Sequence, residues 1–334
     1  MNPPRQAVYF FCCDPARDPV AHRVFDAVLR LQEPEATDLA IDGQPVLRSM
    51  DAAGNAFFYV RLDEVLSVDY PRYLPVLEQH LCNFDFAGIV NWHEGRNAPD
   101  AILTVHTTGD MVSGYFGTAN PRCTRSLLRA IEENRQEGGL DHFVTTTEAT
   151  HWSGIVYGGA PELIPRYPVP LVDIEIGSTP ESWSNRGAAE ALARSLTRVF
   201  DERDAEVPSL LCVGGAHFEP AFSAAVLDQE HQPALAVSHI LANQWLGAGA
   251  YESEAGYARL EACARSIRGG LHAIVFHDGI RGRYKAPLRR LGEQLGVPVF
   301  KHQALREPEG LLLPGTAASV PQALERSTHL LKRV

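Results

Sequence analysis

The stretch VPLVDIEIGSTPESWS (169–184) decides the fold. Its first half is rich in branched apolar residues and too short for an ordinary helix, so Leu171, Val172, Ile174 and Ile176 predict a buried strand over 169–176. Ser178 or Thr179 then offers an N-cap with Pro180 at or near the first helical position, which predicts a helix over 181–200. A second buried apolar run follows over 209–213. Strand, helix and strand in succession are the unit of an α/β layer architecture. Outward from this unit, further strands are expected over 7–13, 55–62, 88–92, 102–106, 273–277 and 297–301. Helices are expected over 21–31, 73–80, 121–136, 251–268 and 286–295, with a weakly helical tail after Glu307. The predicted organisation is a main α/β lobe over 1–205 carrying most of the site. Residues 206–334 form a second, smaller α/β lobe or a continuation of the same sheet, and the acidic DERDAEVP (201–208) marks the boundary.

The chain has 334 residues, 45% of them hydrophobic and 21% charged, which excludes disorder, collagen-like sequence and a coiled coil. No window approaches the length of a membrane span, and the apolar run after MNPPRQ is too short for a secretion signal, so a cytoplasmic protein without membrane contact is expected. Cys12, Cys13 and Cys212 lie in apolar runs and read as buried thiols rather than metal ligands. A net charge of −11 argues against a generally basic, nucleic-acid-coating surface. Among the basic residues 27 of 30 are arginines, whose planar forks suit phosphate or carboxylate. Arg122, Arg125, Arg281 and Arg283 are candidates for phosphate contact, against the plainer reading of solvated helix faces.

Histidines gather at the ends of predicted strands, where α/β enzymes place working groups. His93 and His106 end two strands, His151 stands in EATHWSG (148–154), His217 follows the strand over 209–213, and His239 lies in AVSHIL (236–241). Glu175 sits inside an apolar strand, where a carboxylate is edge-exposed or buried with a partner. Five histidines and a carboxylate are what zinc takes as ligands and also what an acyl-transfer site needs as base and orienter. Any one histidine taken alone is more often a hydrogen-bonded structural group, whereas Glu175 reads as functional or as buried with a partner. None has the spacing of a helical zinc motif, so a metal site would be assembled from distant strands. The loop VGGAHFEP (213–220) could present backbone N–H groups of Gly214 and Gly215 to an anion.

Several segments in order resemble the archaeal and plant type of D-aminoacyl-tRNA deacylase. They are DPA (14–16) after the first strand, LTVHTTGD (103–110) with His93 upstream, EATHWSG, VDIEIGSTPESWS (172–184), VGGAHFEPAFS (213–223) with SHIL (238–241), and HDGIRGRYKAPLRRLGEQLGVPV (277–299). The resemblance implies a mixed sheet of phosphorylase/peptidyl-tRNA-hydrolase-like type flanked by helices, zinc dependence, and hydrolysis of the ester between a D-amino acid and tRNA. His93, His106, His151, Glu175 and His217 fall on polar positions of the family's motifs. His93, His151, Glu175 and His217 are expected as catalytic groups, His106, His151, Glu175 and His217 as metal ligands, with base and ligand not told apart, and Thr150, Gly214, Gly215, Glu219 and His239 at the substrate. The departures fall at this site: Trp152 follows His151 where the family commonly has a second histidine, Asp110 replaces an asparagine, and Ala216 and Phe218 flank His217.

The expected function is metal-assisted ester hydrolysis on the acceptor end of D-aminoacyl-tRNA by a monomer or homodimer. A small acyl ester, amide or amino-acid derivative is the alternative substrate that the acidity favours. A non-catalytic ligand-binding protein is the third reading.

Overall fold

The computed structural model describes residues 3–95, 98–201, 207–228 and 234–306. The first part of the chain runs β1 (Gln6–Cys12), α1 (Ala21–Gln32), β2 (Glu35–Ile41), β3 (Gln44–Met50), β4 (Ala56–Leu62), α2 (Tyr70–His80), β5 (Phe86–His93), β6 (Ala101–Thr107), β7 (Gly109–Asp110), β8 (Tyr115–Phe116), α3 (Pro121–Glu137), β9 (Val144–Thr147), β10 (Leu171–Ser178), α4 (Pro180–Trp183) and α5 (Arg186–Ser195). The second part runs β11 (Ser209–Val213), α6 (Pro220–Leu227), β12 (Ala236–Leu241), α7 (Asn243–Leu246), α8 (Glu254–Arg265), β13 (Ala273–Phe276), α9 (Lys285–Leu295) and β14 (Val299–Lys301). Eight strands form one mixed sheet in the order β2-β3-β4-β1-β5-β10-β6-β9, and four form a second sheet in the order β12-β11-β13-β14. The second sheet is parallel throughout. The α/β class with a helix-flanked mixed sheet is therefore as expected.

Strand β10 explains how the site is positioned. It lies between β5, parallel to it, and β6, antiparallel, and is buried from Leu171 to Gly177. Alternation sends Val172, Ile174 and Ile176 into the largest core, which packs α1, α3 and α5 against the sheet. The same alternation sends Asp173 and Glu175 to the opposite face. Register then places Asp173 beside His106 of β6, and Gly177 beside His93 at the end of β5. The largest core also takes in Leu210, Cys212, Val237, Ile240 and Val275, so one apolar layer underlies both sheets.

Three local expectations are corrected. The helix over 181–200 is broken into α4, α5 and a short 3₁₀ turn, because Asn185 caps a new helix by accepting from the Ala188 N–H. The hairpin of β2 and β3 was not anticipated; it turns at Asp42 and Gly43, both with positive φ. The strand over 169–176 begins after Pro170 and runs on to Ser178. Cys12 and Cys212 are buried free thiols and Cys13 is half-buried. The predicted tail after Glu307 and most of the acidic 201–208 stretch lie outside the described residues. Among the described residues, no helix is long and apolar enough to cross a membrane.

Candidate active site

Glu148, the residue that follows β9, is buried and forms the centre of a histidine cluster. Its Oε1 accepts from His217 Nε2 at 2.5 Å and lies 3.5 Å from His93 Nε2 and 3.8 Å from His151 Nε2. Behind it is a fully buried trio in which His106 Nε2 stands 3.6 Å from Asp173 Oδ2 and 3.5 Å from Glu175 Oε1. The rings of His106 and His151 stack at 3.9 Å, which joins the two groups. His151 and His217 are about a quarter exposed and form the open side of the site. Phe218 packs edge-on against His93 and His217, and Trp245 lines the other flank against His151 and His217.

The outward nitrogens of these rings are tied down. His106 Nδ1 faces the Thr107 carbonyl at 3.2 Å, His151 Nδ1 faces the Ala149 carbonyl at 2.9 Å, and His93 Nδ1 pairs with the Ser178 hydroxyl at 2.9 Å. A ring that donates Nδ1–H to a carbonyl turns the lone pair of Nε2 inward, the arrangement second-shell partners impose on metal-binding histidines. His217 is held the other way. Gln244 donates to its Nδ1 at 3.1 Å, so its Nε2–H points at Glu148.

Three buried carboxylates with one histidine between them make the centre strongly cation-seeking. Burial disfavours a charged His106, yet Asp173, Glu148 and Glu175 together raise it to about 10. Burial would also raise Glu148, but His106, His217 and His93 hold it well below the usual carboxylate range. Burial and the neighbouring Glu148 push Glu175 up to about 7, and burial pushes Asp173 up to about 6. His151 is driven down to about 3 by burial and by the charge on His106. Glu148 Oε2, Asp173 Oδ2, Glu175 Oε2 and His106 Nε2 are all buried without a hydrogen-bond partner. Donor atoms of His106, Glu148 and His151, of His93, Glu148 and His217, and of His106, Asp173 and Glu175 lie close enough in each set to share one ion. The donor set, the pinned Nδ1 atoms and the orphaned buried oxygens fit a divalent metal such as zinc.

The structure thus brings His93, His106, His151, Glu175 and His217 together. It sets the other sequence candidates apart. Thr150 and His239 are wholly buried: the Thr150 hydroxyl accepts from the Ile240 N–H, and His239 lies between the Thr107 and Ser266 hydroxyls, so both tie the frame of the site together. Gly214 does not offer its N–H to an anion, since it donates to the Leu241 carbonyl. Glu219 caps α6, accepting from the Ala216 and Ala221 N–H groups. Gly215, in the left-handed region, lies against Glu219, where a side chain would collide with that carboxylate. Arg125 is buried and donates to the Val226 carbonyl, out of reach of a phosphate. The sequence reading missed Glu148 and Asp173. Both had a signal: Glu148 precedes His151 by three residues, and Asp173 shares the strand face of Glu175.

Fold and site together define an α/β protein with a buried carboxylate–histidine centre spanning two sheets. A family model described as D-aminoacyl-tRNA deacylase matches residues 80–300. The chain belongs to the D-aminoacyl-tRNA deacylase family. It is 27% identical over 144 residues to the D-aminoacyl-tRNA deacylase of Cenarchaeum symbiosum, covering 41% of this chain and 51% of that protein. To the protein of the same name from Haloarcula marismortui it is 27% identical over 234 residues, 66% of this chain and 47% of that one. The chain therefore spans about half the length of these curated relatives. A crystal structure of a conserved protein of unknown function, AF0625, shares the fold with a TM-score of 0.70 at 18% identity, covering 92% of this chain and 98% of that one.

Proposed function

We propose that this protein hydrolyses the ester of D-aminoacyl-tRNA, releasing the D-amino acid and a tRNA with a free terminal hydroxyl. The observation that carries the reading is the convergence of His93, His151 and His217 on buried Glu148, with Asp173, His106 and Glu175 behind it, in a chain of this family. His106, His151 and Glu148 would hold the metal, with Glu175 in reach through His106. Zinc bound there supplies Lewis acidity beside the ester.

The chain's own groups do the rest. His217 is the half-open imidazole with its Nε2–H fixed on Glu148, so Nδ1 is the nitrogen that takes a proton from the attacking water once Gln244 yields it. Glu148 stabilises the positive charge that His217 then carries. The same proton passes to the departing ribose oxygen as the C–O bond breaks. Phe218 and Trp245 wall the histidines on both flanks and limit bulk water.

The test is a hydrolysis assay on matched D- and L-aminoacyl-tRNA and on small D-aminoacyl esters, with and without chelator. Turnover of D-aminoacyl-tRNA that chelation abolishes and zinc restores is expected. Turnover of the small esters alone would overturn the tRNA reading, and no turnover of either substrate with zinc would leave a binding role.

A further inference from the structure

A chain with net charge −11 is an unpromising partner for RNA, but the charge is not evenly spread. Between residues 251 and 306 there are ten Arg and Lys against five Asp and Glu, and two of the three lysines of the chain, Lys285 and Lys301, fall there. Four of the ten, Arg281, Arg283, Lys285 and Lys301, stand at the carboxyl edge of the parallel sheet, where Glu252 and Asp278 are the acidic neighbours. Lys301 ends β14 and is in register with Phe276 at the end of β13. Lys285 Nζ lies 5.6 Å from the centre of the Phe276 ring, and Arg281 and Arg283 flank the short turn that leads into α9. Arg281, Arg283 and Lys301 are exposed. Arg283 is partly neutralised by Glu252 at 3.5 Å. Among the described residues, Arg281, Lys285 and Lys301 have no carboxylate partner.

This edge is continuous with the histidine cluster. β11 ends at Val213; the next residue, in the loop that leads to His217, is Gly214, and a Cβ there would lie 3.1 Å from the Cβ of His277 and 3.4 Å from that of Ile280. The basic turn therefore begins one residue beyond a wall that touches the loop of His217. In an open parallel sheet, ligands approach at the carboxyl ends, where the connections diverge to either side; here β11 sits at that point, with β12 on one side and β13 on the other.

We propose that Arg281, Arg283, Lys285 and Lys301 form a docking face for the phosphodiester backbone of an RNA acceptor arm, placed to present its esterified end to His217. The inference deepens the deacylase reading and rests on it for the choice of RNA. It reconciles an acidic protein with a polyanionic partner, since one cationic edge suffices when the rest of the surface repels non-productive contact.

The experiment uses the full chain and the triple variant Arg281→Glu/Lys285→Gln/Lys301→Glu, with Arg281→Ala/Lys301→Ala as a gentler pair. Binding of uncharged tRNA is measured against KCl concentration, alongside kinetics on D-aminoacyl-tRNA and on D-tyrosine methyl ester. The expected result is at least a ~10-fold weaker tRNA affinity and KM, with the log–log salt slope shallower by about 2 to 3, and ester turnover within about twofold of the native chain. Unchanged tRNA affinity and salt slope overturn the face, as does equal displacement of tRNA by polyglutamate. If the native chain hydrolyses no aminoacyl-tRNA while the triple variant still loses tRNA binding, the deacylase reading falls and the face stands.

Discussion

Glu148 is the carboxylate on which the cluster turns, since it alone touches the histidines on the open side and also bears on the buried trio behind them. Replacing it with glutamine keeps the shape but removes the charge that organises His217 and balances His106. Glu148→Gln is expected to lower kcat by about 100-fold or more on any ester substrate, and to weaken metal retention by more than the roughly 10- to 100-fold that loss of an orienting partner costs, because Glu148 is itself one of the groups that would hold the metal. Metal analysis and kinetics on the same preparation check both. The histidines were legible in the sequence because a polar ring at the end of an apolar strand stands out. Glu148 and Asp173 were not, because they are two among 41 acidic residues and their local signals, three residues before His151 and on the strand face of Glu175, do not by themselves separate a buried carboxylate from a solvated one. Only strand register, which sets Asp173 beside His106, and the fold, which brings His217 to Glu148, tell them apart.

Strands buried on both faces leave a clear trace in sequence, and β1, β5, β6, β10 and β11 were readable for that reason. The hairpin of β2 and β3 was not, because its outer residues are polar and its signal is the short Asp42-Gly43 turn. At Gly88, in the middle of β5, an added Cβ would meet Ile174 Cδ1 at 2.6 Å and Tyr9 Cδ1 at 2.9 Å, so the three central strands pack closely only because that side chain is missing. Gly88→Ala is expected to cost about 1–3 kcal/mol by overpacking, read as a shift of the denaturant midpoint. On β12, burial drives His239 down to about 3. The folded chain holds this proton more weakly than the unfolded one, so the contribution to stability is complete above about pH 6.5 and is lost as pH falls toward 3. Between pH 7.5 and pH 5 the loss should be about 2 kcal/mol. Chemical denaturation of the native chain and of His239→Gln at both pH values tests this, and an identical pH dependence in the two would rule it out.

The candidate site belongs to neither sheet alone: His93, His106, Asp173, Glu175, Glu148 and His151 come from the eight-stranded side, and His217, Phe218 and Trp245 from the four-stranded side. No single stretch of sequence could reveal this. The two sides are stitched where the Ala149 N–H donates to the His217 carbonyl and the Thr150 N–H to the Ile240 carbonyl. The Thr150 hydroxyl completes the seam by accepting from the Ile240 N–H, 2.7 Å from the Thr107 hydroxyl. If the seam sets the distance between His217 and Glu148, then a change at Thr150, wholly buried in that seam, must reach the chemistry. Thr150→Val matches the shape but leaves the Ile240 N–H unpaired, at a cost of about 1–3 kcal/mol in stability. It should also lower kcat on a small D-aminoacyl ester by roughly 10-fold while leaving KM nearly unchanged, because a misplaced base weakens transition-state contacts more than ground-state ones. Thr150→Ser keeps the hydroxyl and should recover most of both. A valine variant that is less stable yet retains full kcat would show that the seam supports the fold without setting the geometry of the site.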